Sequence, residues 1–339
     1  MNRCLQLAQL GAGQVAPNPM VGAVLVYNDK IIGEGYHQKF GEAHAEVNCI
    51  NSVRAEHVQF IKESTLYVSL EPCVHFGKTP PCTGLIIEQQ IPNVVIACRD
   101  VFKEVNGRGV EKLKHAGIHV TEAHLENEAR QLNKRFFTFH KKKRPYIFLK
   151  WAQSADGFIA GENYETVKIT NELSNRWVHR QRSTEAAIMV GTHTAISDDP
   201  SLTTRLWPGK NPVRIVIDKK LKLPKDAALF STTSPVIVLN FIKEEIKGHI
   251  HFFKVDEKEN MLVALMKYLH DRNIQSLIVE GGSILLQSFI DEQLWDEAIV
   301  ICNTSLIISK GIRAVSLPAD KLAETFFLLS DQIQVYKNR

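Results

Sequence analysis

The sequence predicts an α/β protein built from two domains. Apolar strand-like runs alternate with helix-like runs along the chain, which is typical of sheets covered by helices. The length of 339 residues is sufficient for two separate hydrophobic cores. A basic run at 141–144 ends a helix-like segment, and Pro145 then opens an extended apolar one. We therefore expect domains at residues 1–144 and 145–339.

The first domain is predicted to open with a β-hairpin. Residues 21–26 and 30–35 are strand-like, and the Asn28-Asp29 pair between them favours a tight turn. The later elements are predicted to follow in the order helix, strand, helix, strand and exit helix, at residues 44–53, 65–70, 81–89, 94–98 and 126–141. This alternation predicts an α/β sandwich.

The second domain is predicted to begin with a strand at 146–149 and to contain a helix at 171–183. A later strand at 276–279 ends in Glu280-Gly281-Gly282 and precedes an apolar helix at 284–290. Paired glycines let a backbone approach a dinucleotide pyrophosphate at a helix N-terminus. The full G-x-G-x-x-G fingerprint is absent, so a tight turn is the alternative interpretation.

Composition and charge favour small substrates. Residues 1–144 carry 18 basic and 14 acidic residues, whereas residues 145–339 carry 23 of each. The surplus equals the single run at 141–144, and nucleic-acid binding usually needs an extended basic face. We find neither a membrane-length apolar run nor a secretory signal, and six cysteines in so long a chain do not suggest a disulfide framework. We expect a cytoplasmic protein without nucleic-acid or membrane partners.

The strongest chemical signal is His44-Ala45-Glu46, followed by Pro72-Cys73 and Pro81-Cys82. One imidazole and two thiolates are the ligand set of a catalytic zinc that keeps its fourth position open for water. Glu46 lies two residues beyond the histidine, where it moves protons rather than binding the metal. Zinc lowers the pKa of its water, and the carboxylate passes the released proton to a departing amine. The pattern predicts a hydrolytic deaminase acting on an aminated heterocycle.

The spacing of the two cysteines leaves alternatives open. Eight residues separate Cys73 from Cys82, which is longer than in a zinc knuckle, and His75 within the spacer is an alternative fourth, structural ligand. A non-catalytic zinc scaffold is also possible, but it would not need Glu46. Cys82 opens a helix-like run, and a helix N-terminus favours a thiolate.

Longer stretches resemble a known family. The runs at 17–24, 41–46 and 71–82, and later those at 150–157, 197–203 and 279–282, are similar to the bifunctional riboflavin-biosynthesis deaminase/reductases. The resemblance implies a cytidine-deaminase-like three-layer α/β/α domain followed by a dihydrofolate-reductase-like α/β domain. It implies Zn²⁺ and NADPH as cofactors and a phosphorylated small-molecule substrate. The reactions would be deamination of 2,5-diamino-6-ribosylamino-4(3H)-pyrimidinone 5′-phosphate and reduction of its ribosyl group to ribityl, and we expect a homo-oligomer.

The resemblance also implies site residues in the first domain. His44, Cys73 and Cys82 would bind zinc, and Glu46 would be the catalytic proton shuttle. Asn18 would orient the pyrimidine, although an asparagine between two prolines is also ordinary turn chemistry. In the spacer, the substrate phosphate would meet His75 and Lys78, for which a solvated loop is the alternative.

In the second domain the resemblance implies two sets of contacts. The substrate contacts would be Lys150, Val167, Arg182, Leu202, Arg205 and Glu280. The cofactor contacts would be Gln153, Lys168, Thr194, Asp198, Ser234, Gly282, Ser283, Ile284, Leu285, Leu286, Gln287 and Ser288. Arg182 is a candidate for the substrate phosphate, since a guanidinium offers bidentate hydrogen bonds. The alternative for Arg182 is the solvent face of the helix at 171–183.

A different class of enzyme shares the zinc pattern. A zinc base deaminase that acts on RNA or on another nucleotide would carry the same ligands with a non-reductase C-terminal domain. It would not need Glu280-Gly281-Gly282, and an RNA enzyme would need a wider basic surface.

Overall fold

The chain folds as two units, each with its own β-sheet. A computed structural model describes residues 1–76, 80–102 and 105–338. Unit 1 spans Met1–Lys143 and unit 2 spans Arg144–Arg339. No helix among the described residues is both long enough and apolar enough to cross a membrane.

The described part of unit 1 contains a five-stranded sheet in the order β2-β1-β3-β4-β5. Its strands are β1 (Gly22–Tyr27), β2 (Lys30–Tyr36), β3 (Thr65–Val68), β4 (Asn93–Ile96) and β5 (His119–Thr121). Strand β1 pairs antiparallel with β2 and β3, whereas β3, β4 and β5 are parallel. The predicted hairpin is confirmed: Asn28 and Asp29 both have positive φ, as a type I′ turn requires.

Helices and one long 3₁₀ segment, Ala55–Glu63, connect these strands. The helices of unit 1 are α1 (Asn2–Gln9), α2 (Ala45–Asn51), α3 (Cys82–Glu88), α4 (Arg108–His115), α5 (Glu126–Leu132) and α6 (Lys134–Lys142). The prediction of one helix at 126–141 is wrong. Asn133 interrupts it, because its buried side chain exchanges two 2.8 Å hydrogen bonds with the backbone N–H and C=O of Met20.

Helix α2 lies directly against β2 because Gly35 has no side chain. A Cβ at Gly35 would lie 2.2 Å from the backbone N of Cys49 and 2.6 Å from the backbone O of Ala45. The core beneath α2 and α3 is apolar and includes Ala23, Leu25, Cys49, Leu66 and Ile86. Two helix N-termini are thereby fixed over the same region of the sheet.

The described part of unit 2 contains a ten-stranded sheet in the order β11-β12-β10-β9-β8-β13-β6-β14-β17-β16, and a separate pair, β15-β7. The strands are β6 (Tyr146–Ser154), β7 (Phe158–Ala160), β8 (Ala187–Val190), β9 (Val213–Ile217), β10 (Val236–Asn240), β11 (Glu245–Lys247), β12 (Ile250–Lys254), β13 (Ser276–Glu280), β14 (Glu297–Asn303), β15 (Ile312–Arg313), β16 (Leu322–Leu328) and β17 (Asp331–Lys337).

The seven strands from β12 to β14 are parallel, and β11, β17 and β16 add antiparallel edges. Strands β8 and β10 are buried at every residue, as expected for parallel strands covered on both faces.

The helices described in unit 2 are α7 (Glu172–Thr184), α8 (Thr192–Ser197), α9 (Met261–Asp271) and α10 (Ser283–Asp291). The first and the last confirm the predicted helices at 171–183 and 284–290, whereas α8 and α9 were not predicted. Helix α7 starts after Asn171, whose side-chain oxygen accepts a hydrogen bond from the N–H of Ser174 at 2.9 Å. Gly281 and Gly282 form the junction between β13 and α10.

A buried ion pair fixes the start of unit 2. The Arg144 guanidinium donates to both carboxylate oxygens of Asp296, at 2.6 and 3.0 Å, and this carboxylate also accepts from the N–H of Ile147 at 2.9 Å. The two side chains are only 10% and 6% exposed. The pair therefore joins Arg144, two residues before β6, to Asp296, the residue immediately before β14.

We predict that Asp296→Ala lowers the free energy of unfolding by about 3 kcal/mol, because it leaves the Arg144 charge buried without its partner. Urea unfolding followed by fluorescence measures this change. The matched control is Glu245→Ala, which breaks the exposed Lys243–Glu245 pair of the same unit and is expected to change the free energy of unfolding much less, because exposed ion pairs contribute little. Equal losses in the two variants would contradict the prediction.

Candidate active sites

Three predicted metal ligands meet in unit 1. His44 is the residue immediately before α2 rather than part of its first turn, Cys73 follows β3, and Cys82 is the first residue of α3. Their donor atoms all lie within 4.8 Å of one another. The Nδ1 atom of His44 is 3.6 Å from Sγ of Cys73 and 3.3 Å from Sγ of Cys82. Tetrahedral zinc bonds of about 2.3 Å to S and 2.0 Å to N separate these atoms by about 3.6 Å, so the donor set fits zinc.

The backbone around Cys82 and Thr83 stabilises Cys73. The N–H of Cys82 donates to Sγ of Cys73 at 3.3 Å, and Thr83 donates its N–H and hydroxyl to the Cys73 carbonyl at 3.2 and 3.0 Å. A hydrogen bond from the Cys82 thiol, helped by His44, lowers the pKa of Cys73 and raises the pKa of Cys82. Cys73 therefore ionises more readily than Cys82, and a bound zinc would hold both as thiolates.

Glu46 lies on the first turn of α2, beside the metal ligands, and is 3% exposed. Burial raises the pKa of Glu46 to about 6, with a smaller upward contribution from Cys73 and an opposing one from His44. A buried carboxyl group beside the ligands is in place to take up and release a proton, which is the role predicted from its position after His44.

The structure separates His75 from the metal ligands. His75 does not join the cluster formed by His44, Cys73 and Cys82, which is the one such group found in the described ranges. Its ring lies 5.9 Å from that of Phe102, and its buried Nδ1 atom has no hydrogen-bond partner within those ranges. The alternative of His75 as a fourth ligand is therefore not supported, and Lys78 lies outside the described residues.

Asn18 is oriented by a residue that sequence reasoning missed. The Nδ1 atom of His37 is 3.0 Å from the carbonyl of Ala43, which only accepts, so this nitrogen carries the ring proton. Burial lowers the pKa of His37, and the Nε2 atom of the neutral ring accepts from the Asn18 amide at 3.1 Å. The amide oxygen of Asn18 has no partner in the described part of the chain, and it is left free to accept from a substrate N–H.

In unit 2, three predicted substrate contacts form one buried cluster. Lys150 of β6 and Glu280 of β13 are neighbours in register. The carboxylate of Glu280 accepts from Nε and Nη2 of Arg182 at 2.8 and 2.7 Å, and lies 3.5 Å from Nζ of Lys150. Burial alone would raise the pKa of Glu280, but Arg182 and Lys150 outweigh it and lower this pKa to about 2. The alternative that Arg182 occupies the solvent face of α7 is wrong, since its side chain is 14% exposed.

A histidine that was not predicted adjoins this cluster. His179 lies one helical turn before Arg182 on α7, and its Nδ1 atom accepts from the N–H of Leu206 at 3.5 Å. Burial and the charges of Arg182 and Arg205 lower the pKa of His179 to about 4, so the ring is neutral. Because residues three apart share a helix face, the spacing from Arg182 was the signal that could have found it.

The remaining predicted substrate contacts differ in exposure. Arg205 is exposed and donates to the hydroxyl of Ser201. Leu202 has a positive φ of 54° and a side chain buried in the core of unit 2, which leaves its backbone as the part available to a ligand. Val167 is half-buried in the segment before α7.

Most of the predicted cofactor contacts lie on or next to α10 and α8. Thr194 accepts from the N–H of Gly282 at 3.0 Å, which joins the two helix starts. Asp198, at the end of α8, accepts from the hydroxyl of Thr166 at 2.7 Å. Along α10 the side chains divide by exposure: those of Ser283, Ile284, Gln287 and Ser288 reach the surface at least in part, whereas those of Leu285 and Leu286 are buried in the core.

Three further predicted cofactor contacts lie in other segments. Gln153 of β6 accepts from the indole N–H of Trp151 at 2.8 Å. The carbonyl of Ser234 accepts from the buried Arg214 at 2.5 Å. Lys168 is exposed in the segment before α7.

The two units match two families. Residues 1–98 match the cytidine and deoxycytidylate deaminase zinc-binding region, and residues 145–311 match the RibD C-terminal domain. The riboflavin biosynthesis protein RibD of Aquifex aeolicus is 39% identical over 98% of this chain and 94% of its own length. The chain belongs to the RibD family. The RibD protein of Escherichia coli K12 is 36% identical over 96% of this chain and 92% of its own.

A solved structure agrees over the same length. The diaminohydroxyphosphoribosylaminopyrimidine deaminase/5-amino-6-(5-phosphoribosylamino)uracil reductase of Thermotoga maritima has a TM-score of 0.90 and 38% identity, covering 100% of this chain and 97% of its own. The predicted order of a cytidine-deaminase-like and a dihydrofolate-reductase-like domain is confirmed. The protein is a bifunctional deaminase and reductase of riboflavin biosynthesis, with a zinc-binding deaminase domain and a reductase domain of the type that uses a nicotinamide cofactor. The alternative of a base deaminase with a non-reductase second domain is not favoured.

We predict that His37→Leu raises the KM of deamination about tenfold, because the Asn18 amide loses the hydrogen bond that orients it. Steady-state kinetics on zinc-loaded protein measures this effect. His37→Gln, which keeps a hydrogen-bond acceptor, is the matched variant and should lose less. An unchanged KM in His37→Leu would contradict the role given to His37.

We also predict a pH dependence of stability that comes from Glu280. Its pKa of about 2 in the folded chain lies below the ordinary value of 4.5, so the stabilisation is complete above pH 4.5 and is lost as the pH falls towards 2. Between pH 5 and pH 3 the unaltered chain should lose about 2 kcal/mol more than Glu280→Gln does. Urea unfolding at both pH values measures this difference, and equal losses would contradict it.

Proposed function

We propose that the chain deaminates 2,5-diamino-6-ribosylamino-4(3H)-pyrimidinone 5′-phosphate and then reduces the ribosyl group of the product to a ribityl chain with NADPH. We assign the first reaction to residues 1–144 and the second to residues 145–339. The observation that carries the proposal is the meeting of the three metal ligands beside the buried carboxyl of Glu46, in a chain that aligns with RibD proteins over almost its whole length.

For the deamination, His44, Cys73 and Cys82 would hold a zinc ion, which would supply a water molecule of lowered pKa. Glu46 takes up the proton that this water loses as its oxygen bonds to the amine-bearing ring carbon. Glu46 then delivers the proton to the departing nitrogen, the carbon–nitrogen bond breaks and ammonia leaves. The free amide oxygen of Asn18 accepts a hydrogen bond from the pyrimidine, which selects a ring edge that carries N–H groups.

The substrate phosphate is assigned to the spacer between the two cysteines. His75 offers a ring nitrogen that has no partner in the described ranges, and Lys78 would add a positive charge. Together they would bind the phosphate group while the pyrimidine faces Asn18 and Glu46.

For the reduction, bound NADPH would supply a hydride for C1′ of the open-chain imine, and the imine nitrogen would take up a proton. Lys150 and Glu280 would contact the ribose, with Arg182, Arg205, Val167 and Leu202 completing the substrate contacts. The segment from Gly282 to Ser288 would hold the cofactor together with Gln153, Lys168, Thr194, Asp198 and Ser234. These groups align the two reacting carbons, and such orientation contributes much of the rate.

Other properties stay predictions. These are a homo-oligomeric state, a cytoplasmic location and the absence of nucleic-acid and membrane partners.

The test is to incubate zinc-loaded protein with the proposed substrate, with and without NADPH, and to follow the products by mass spectrometry. We expect a gain of about one mass unit without NADPH and a further gain of about two with it, for amine-to-carbonyl exchange followed by reduction. Deamination without reduction would overturn the assignment of residues 145–339. No change in either sample would overturn the assignment of deamination to residues 1–144, and with it the proposed order of the two reactions.

Glu46→Gln is expected to abolish the first mass change and to leave reduction of the deaminated compound intact, because it removes only the proton carrier of unit 1. The matched control is Glu63→Gln, an exposed glutamate of the same unit, which should retain both reactions. Deamination at the unaltered rate by Glu46→Gln would contradict the role of Glu46.

A further inference from the structure

Glu71 is a buried carboxylate with an unusual set of partners. It is 3% exposed and accepts four hydrogen bonds, all from backbone N–H groups. Its Oε2 atom accepts from Asp100 at 3.2 Å and Gly107 at 2.9 Å, and its Oε1 atom accepts from Gly109 at 2.8 Å and Val110 at 3.1 Å. The ion pairs found among the described residues do not include Glu71. Hydrogen bonds from neutral backbone N–H groups therefore stabilise its negative charge.

The four donors come from both ends of one segment. Asp100 lies just beyond β4, whereas Gly107, Gly109 and Val110 form the start of α4. The first turn of a helix has N–H groups without partners inside the helix, and the carboxylate of Glu71 satisfies two of these. The backbone N–H of Glu71 also donates to the carbonyl of Cys98 at 3.0 Å. Glu71 thus joins described residues between β4 and α4 to the segment that follows β3.

The start of α4 also contacts Pro72, the residue before the predicted zinc ligand Cys73. A Cβ at Gly109 would lie 2.3 Å from the carbonyl oxygen of Pro72 and 3.0 Å from Oε1 of Glu71. Only glycine therefore permits the approach of α4 to the Glu71-Pro72 backbone. Cys73 follows directly, with its Sγ atom 3.6 Å from Nδ1 of His44.

The residues after β4 also contact His75, to which the substrate phosphate is assigned. The Asp100 carboxylate accepts from the N–H of Phe102 at 2.8 Å, and the Phe102 ring packs against that of His75. Glu71 is therefore linked to Cys73 through the chain and to His75 through Asp100 and Phe102. Among the described residues, the hydrogen bonds of its carboxylate do not include the donor atoms of His44, Cys73 or Cys82.

We propose that Glu71 is a positioning residue for deamination: its carboxylate binds residues 100 and 107–110 to the segment Glu71–Cys73 and so fixes both Cys73 and His75. The role requires a carboxylate, because both of its oxygens accept. In Glu71→Gln one of these oxygens becomes an NH₂ group that faces two N–H donors, which removes two hydrogen bonds and sets donor against donor. The inference rests on the proposed use of His44, Cys73 and Cys82 as zinc ligands.

The experiment compares Glu71→Gln with the unaltered chain, both zinc-loaded and full-length. The first readout is the rate of zinc release to a chromogenic chelator, and the second is kcat and KM for deamination. The reductase activity of the same sample reports whether unit 2 is intact. Partners that orient metal ligands typically contribute about 10- to 100-fold to affinity or activity, so we expect zinc release and deamination to change by about this factor. Reduction should be unchanged.

Glu122→Gln is the matched control. Glu122 pairs with Arg99 and with Lys114 of α4, so it holds the same connection from its solvent side. It should leave zinc release and deamination unchanged, because exposed pairs contribute little. A merely structural role for Glu71 would lower the midpoint of thermal unfolding and leave zinc release and KM of the folded protein unaltered, and that result would overturn the proposal.

Gly109→Ala changes the α4 side of the contact between Gly109 and the Glu71-Pro72 segment. It tests the proposal if Glu71→Gln does not fold. Its methyl group would displace α4 from Pro72, so faster zinc release and weaker deamination are expected again. Zinc release at the unaltered rate in a folded Gly109→Ala would overturn the proposal. Zinc release needs no substrate, so an unaltered chain that fails to deaminate would count against the proposed function while the release rates still test Glu71.

Discussion

Burying a charge away from water costs free energy unless hydrogen bonds or an opposite charge replace the lost hydration. Both units bury charged side chains. In each unit, the groups that stabilise the buried charge also hold the neighbouring site residues in position. Backbone N–H groups surround Glu71 and reach the Cys73 thiolate. Side-chain cations surround Glu280, and Asp296 holds Arg144.

In unit 1, backbone N–H groups stabilise the buried charges next to the predicted metal site. Backbone N–H groups belong to helix starts and strand ends, which the sheet already holds in place. A thiolate or carboxylate that accepts from them is fixed together with these elements. Such hydrogen bonds orient Cys73, and the contact with His37 orients Asn18. Fixed polar groups of this kind lower the barrier of a chemical step.

In unit 2, side-chain cations stabilise the buried carboxylate of Glu280, and they outnumber it, so the site has a net positive charge. Lys150 and Arg182 share a single carboxylate, that of Glu280, and Arg205 lies nearby on the exposed segment after Leu202. The neutral ring of His179 adds no further charge to the group. A phosphorylated substrate would supply the missing negative charge, and the ionised state of Glu280 persists because the two cations outweigh its burial.

The sequence by itself determined the alternation of strands and helices around the site, a histidine and two cysteines of the types that bind zinc, and the junction of paired glycines after β13. These features depend on local patterns: alternating apolar residues, a turn pair with positive φ, and cysteines that follow prolines. Only the tertiary structure decided that Asn133 breaks the exit helix, that Glu280 pairs with Arg182, and that His37 and Glu71 orient neighbouring site residues. Their partners are 19 to 113 residues away in the chain, and no local pattern records which distant groups a fold brings within hydrogen-bonding distance.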